Sequence, residues 1–70
     1  MKKFDVVIYE IGTRKVCSIA GKDLPEEGGF HTVDKRIETV MPRLNDSYNV
    51  MAVDAGAVKV GDVLPEDTGR

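Results

Sequence analysis

Residues 4–11 read FDVVIYEI. A run of β-branched and aromatic residues fits a pleated, half-buried surface, so this stretch predicts a β-strand. Successive side chains of a strand point to opposite faces. Phe4, Val6 and Ile8 therefore form one face, and Val7, Tyr9 and Ile11 the other. Both sets are apolar, which predicts a strand that is central or covered on both sides. Gly12-Thr13-Arg14-Lys15 follows as a turn between two apolar runs, and residues 16–20, VCSIA, form the second strand of a β-hairpin. Strict alternation places Cys17 and Ile19 on one face of that strand and Val16 and Ser18 on the other.

Outward from the hairpin, residues 21–29 (GKDLPEEGG) combine glycines, a proline and charges, the composition of a loop. Leu24 and Phe30 are its expected anchors on the core. Thr32 then suits a helix N-cap, with Asp34 in the first turn where the helix dipole favours an anion. Val33, Ile37, Val40, Met41 and Leu44 make an amphipathic stripe at helical spacing. Pro42 is expected to kink or end the helix, because it lacks a backbone N–H. Residues 48–55 (YNVMAVDA) read as a third strand closed by Gly56, and residues 58–64 (VKVGDVL) as a candidate short fourth strand.

The predicted fold class is thus α+β: a ββαβ(β) domain over residues 1–64, mainly an antiparallel sheet with one helix on one face. Residues 65–70 (PEDTGR) are a polar tail expected to fray. Val6, Ile8, Ile19, Ile37, Val40, Leu44, Val50 and Val53 are the expected core. One helix covers one face of a small sheet. The other face, if bare, would be an exposed apolar patch of the kind that marks a homodimer or a partner interface.

Composition bounds the function. In 70 residues there is one cysteine, Cys17, and one histidine, His31, so neither an internal disulfide nor a zinc site with its usual ligands is available. No metal and no cofactor is expected. No apolar run approaches the ~20 residues of a membrane span. Asp5 and Glu10 interrupt the first apolar stretch, which reads as a strand and not as a signal peptide, so a cytoplasmic protein is expected. A net charge of −2 and a pI near 5.2 are not those of a general nucleic-acid binder. Cys17 and His31 could form a nucleophile–base pair, but no spacing indicates a third, orienting group. Cys17 reads better as a small buried hydrophobe. Glu10, Asp23, Glu26, Glu27, Asp34, Glu38, Asp46 and Asp54 are scattered, as solvated carboxylates are. The 21–29 loop matches no phosphate-binding pattern, and its acids would repel phosphate.

Arg14-Lys15, Lys35-Arg36 and Arg43 remain as small basic clusters. They could grip an acidic partner or a nucleic-acid backbone, but acids interleave with them and no aromatic stacking platform accompanies them, so a plain solvated face outweighs nucleic acid, which stays an alternative together with a structural homo-oligomer without ligand. The expected protein is a non-enzymatic binding module with Arg14, Lys15, Lys35, Arg36 and Arg43 as contact residues and Tyr9 as an aromatic anchor. No catalytic residue is assigned.

Two resemblances bear on this. Asp34-Lys35 followed by residues 54–64 (DAGAVKVGDVL) is similar to the lysine and later segment of lipoyl or biotinyl carrier domains. That resemblance implies acylation of Lys35. It fails because Lys35 fits a helix where the carrier lysine needs a tight β-turn, and because the N-terminal half has no counterpart. The second covers nearly the whole chain: V-V-I-Y-E at 6–10, R-K-V-x-S-I-x-G-K-D at 14–23, K-R-x-E-T-V-x-x-R-x-N-D at 35–46 and V-x-x-G-x-x-K-V-G-D-V-L at 53–64. In these the chain resembles short proteins of temperate, Mu-like bacteriophages and prophages. The resemblance assigns no chemistry to any residue; it implies a small protein that binds and redirects a host protein.

Overall fold

The computed structural model describes residues 2–29 and 31–65. Three strands, β1 (Lys3–Glu10), β2 (Val16–Pro25) and β3 (Tyr48–Asp54), form one antiparallel sheet in the order β2-β1-β3. Helix α1 (Val33–Val40) and a 3₁₀ turn at Met41–Arg43 connect β2 to β3. The strand that is apolar on both faces is the central one, as its side chains require.

β2 is longer than its composition suggested. It runs on through Gly21 to Pro25, so the first half of the expected 21–29 loop is strand. Three bulges make room for it: between Phe4 and Val6, between Val6 and Val7, and between Ile8 and Tyr9 the partner strand takes an extra residue. Each bulge shifts the alternation by one. Val16 and Ile19 consequently join the same side, where strict alternation had separated them, and Cys17, skipped by the pairing, is exposed. Cys17 is therefore not the buried hydrophobe its type suggested. Gly21 sits opposite Val6 at a bulge, and a Cβ there would lie 2.7 Å from Leu24 Cδ1.

On one face of the sheet Val6, Leu24, Val33 and Val50 are buried together, with Ile8, Ile37, Val40 and Leu44 packed around them. The helix supplies the cover. Thr32 Oγ1 caps it by accepting from Lys35 N–H at 3.3 Å, with Asp34 in the first turn. The α-helix stops at Val40, two residues before Pro42, and Leu44 still reaches the core from the extended backbone beyond. Met41 has left the apolar stripe and is 49 % exposed; Ile11, past the end of β1, is 48 % exposed.

The opposite face is not bare. Residues 55–65 cross it as a strap, and Leu64, 2 % exposed, packs on Val7, Tyr9 and Val16. Ile19, Met51, Val53 and Val58 surround this second core. The strap is anchored through backbone bonds: Val16 N–H donates to Asp62 O (2.8 Å), Gly61 N–H to Val16 O (2.9 Å) and Leu64 N–H to Arg14 O (2.8 Å). The expected fourth strand is thus reduced to one bridge, Lys15 with Val63. Leu24 is an anchor as expected; of the tail expected to fray over residues 65–70, Pro65 accepts a hydrogen bond from Arg14, while residues 66–70 and the anchor assigned to Phe30 lie outside the described residues.

Candidate interaction site

The expected contact residues divide into two groups. Tyr9 is buried in the second core under the Arg14 guanidinium, whose Cζ lies 5.5 Å from the ring centroid, so it is not available as an exposed anchor. Arg14 is itself committed: Nε donates to Leu64 O at 3.2 Å and one terminal nitrogen to Pro65 O at 2.9 Å. It adopts φ 62, which lets the turn close with Arg14 N–H on Glu10 O. Arg36 donates to Ala20 O at 2.6 Å and ties α1 to β2. These cations hold the fold together. Lys15, Lys35 and Arg43 are exposed, on the hairpin, the helix and the 3₁₀ turn respectively; Lys35 pairs with Glu38 at 3.7 Å on the helix surface. Lys35 lies on α1 and not in a β-turn, against the carrier-lysine pattern.

Cys17 Sγ donates to Lys15 O at 3.6 Å near the start of β2, and His31 is exposed beyond that strand's end. Among the described residues no group of three or more His, Cys, Asp or Glu could hold a metal ion.

Asp5 was missed by the sequence reading. It is the one fully buried carboxylate among the described residues. Its Oδ1 accepts from Asp23 N–H and its Oδ2 from Gly56 N–H, both at 3.0 Å. Burial raises its carboxyl, but the two N–H donors and the nearby Lys22 charge outweigh burial and hold it below the ordinary carboxylate value. Asp23 (φ 55) and Gly56 (φ 79) both need the left-handed region. Asp5 thus fastens a β2 bulge and the start of the strap to the central strand, a structural role.

Among the described residues no strand pairs with the outer edge of β3. The outer edge of β2 is blunted by its bulges, by Lys22, Asp23 and Pro25, and by the strap bonds to Val16. β3 (YNVMAVD) has no proline, no lysine and no bulge. Ala55 N–H bonds Lys3 O and Ile11 N–H bonds Ser47 O, so antiparallel alternation turns the backbone groups of Tyr48, Val50, Ala52 and Asp54 away from β1. Some of these are already satisfied. Tyr48 N–H donates to Asn45 O, Val50 N–H to Asn49 Oδ1, and Asp54 O accepts from Ala57 N–H. Tyr48 O, Val50 O, both groups of Ala52, and Asp54 N–H face outward with no strand against them among the described residues. An open groove of about 750 Å³ lies at the Met51–Asp54 end of this strand, lined by apolar Phe4, Val53, Val58 and Leu64 and by charged Lys2, Glu26 and Asp54 among others. Four successive β3 residues line it, so both faces of the strand contribute.

Comparison with protein-family models, with curated proteins and with solved structures gives no match. Among the described residues no helix is long and apolar enough to cross a membrane.

Proposed function

We propose that the chain is a non-catalytic protein-binding module that receives an extended segment of another chain as a fourth strand on β3. The observation behind the reading is the set of outward backbone donors and acceptors left on an edge with no proline, lysine or bulge, beside a groove of mixed apolar and charged lining. Strand addition draws affinity from main-chain hydrogen bonds and selectivity from side-chain pockets, and this edge offers both. The exposed cations Lys15, Lys35 and Arg43 become secondary contacts, and the internally bonded Arg14 and Arg36 scaffold. The resemblance to bacteriophage proteins makes a host protein one source of the added segment.

The test is recovery of a tagged protein from bacterial cells that also make an untagged copy. Ala52→Pro removes an outward N–H while leaving the β1 ladder in place, which an edge strand tolerates. A chain recovered at near-equal stoichiometry by the wild type and by Lys35→Glu/Arg43→Glu, and lost with folded Ala52→Pro, supports strand addition. Retention by Ala52→Pro, or no chain recovered by the wild type, rejects it.

A further inference from the structure

We infer that the segment taken up by β3 in the purified protein is β3 of a second copy, paired antiparallel about a two-fold axis at Met51. The inference rests on the strand-addition reading and names its occupant. Met51 is the midpoint of Tyr48–Asp54, so this register overlaps the whole strand. It sets Val50 opposite Ala52 of the second copy and Tyr48 opposite Asp54. The outward groups already used inside the chain are Tyr48 N–H, Val50 N–H and Asp54 O. Both donors left over meet acceptors across the axis: Ala52 N–H meets Val50 O, and Asp54 N–H meets Tyr48 O, while Ala52 O faces the Val50 N–H that Asn49 Oδ1 already holds. Two-fold symmetry doubles each bond without disturbing an internal one.

Charge points the same way. Asp54 is the only charged residue of β3, and it is held by Lys2 at 3.3 Å. The register centred on Met51 places the two Asp54 side chains at opposite ends of the paired strands, each beside a tyrosine, where like-charge repulsion is weakest. It also brings Met51 against its symmetry mate. The product is a six-stranded sheet whose ends are the two blunted β2 edges, so association stops at two.

The experiment is the solution mass of the purified chain by sedimentation across a concentration series to the high micromolar range, with variants at the axis. Residues facing each other at a non-hydrogen-bonded antiparallel site have close side chains. Met51→Lys and Met51→Glu, each shown to be folded by circular dichroism, are therefore expected to weaken self-association at least tenfold. Their equimolar mixture should restore a species of twice the 7.7 kDa chain mass. A monomeric wild type throughout the series overturns the inference, as does a wild-type dimer that both variants leave intact, or a mixture that stays monomeric. Failure here is separable from failure of the binding module. A monomeric purified protein that still recovers a host chain, lost with Ala52→Pro, rejects the second copy and retains strand addition.

Discussion

Asp5 shows how one residue can organise a fold without advertising itself. In FDVVIYEI it interrupts an apolar strand, and no spacing marks it as more than a polar residue near a strand end. Its importance comes from two backbone donors that only the folded chain brings to it, one from a β2 bulge and one from the turn after β3. Asp5→Asn keeps the shape but replaces one acceptor oxygen with a donor that faces an N–H. A buried donor left unpaired costs about 1–3 kcal/mol, so a loss of that order is expected in urea denaturation. The pH dependence follows from the direction of the shift. The folded-state pKa lies below the ordinary 3.8, so the stabilisation is complete above that value and is lost as pH falls through the folded-state pKa. Wild-type stability should fall with acid in that window, and the slope should be smaller in Asp5→Asn. Equal slopes would show that Asp5 is not the titrating group. Cys17 carries a second residue-scale expectation. Because the bulge expels it from the sheet, its thiol should react with a disulfide reagent in the native protein, with no denaturant, at a rate close to that in urea. Protection by orders of magnitude would mean that alternation, and not the bulge, describes β2.

Among the elements, those with local signals were legible. β1 has its propensity, α1 has Thr32 as cap and Pro42 as stop, and β3 has its own alternation ended near Gly56. β2 was read only to Ala20, because Gly21, Lys22, Asp23 and Pro25 are turn-formers by type and are held in a strand by its neighbour. Bulges have no composition signature, so the face assignments beyond Tyr9↔Val16 could not be deduced. The strap was illegible for a related reason. It packs through Leu64 and Val58 in a segment with weak periodicity, and is tied down by backbone bonds and by the distant side chains of Arg14 and Asp5, none of which a local pattern reveals. The β3 edge was also invisible, since strand order is a property of the whole sheet. The helix cap gives the measurable consequence at this scale. Thr32→Ala removes the acceptor for Lys35 N–H and should cost about 1 kcal/mol. A shift of that size corresponds to a Tm lower by about 4–8 °C in so small a domain, read by far-ultraviolet circular dichroism. An unchanged Tm would mean that packing, and not the cap, fixes the start of α1.

For the whole molecule, the arrangement is a helix and a strap on opposite faces of one three-stranded sheet, with β1 shared by both cores. Val6 points to one core and Val7 to the other, so neither core can be dismantled without stripping a face of the central strand. A chain of this size has a thin margin, and neither core is large enough to persist alone. The strap and helix should therefore be lost in one cooperative step. The two layers can be followed separately because the chain has no tryptophan and Tyr9 lies in the strap-side core. With Tyr48→Phe in place, tyrosine emission reports the strap side while far-ultraviolet circular dichroism reports helix and sheet. Both signals should change at the same urea concentration. Leu64→Ala, which empties the strap-side core at a cost of about 2–5 kcal/mol, should move the two together. Emission that changes at lower urea than the dichroism would show a strap that detaches from an intact sheet. Val7, Tyr9 and Val16 would then form an apolar face exposed in a partly open state, in addition to the β3 edge.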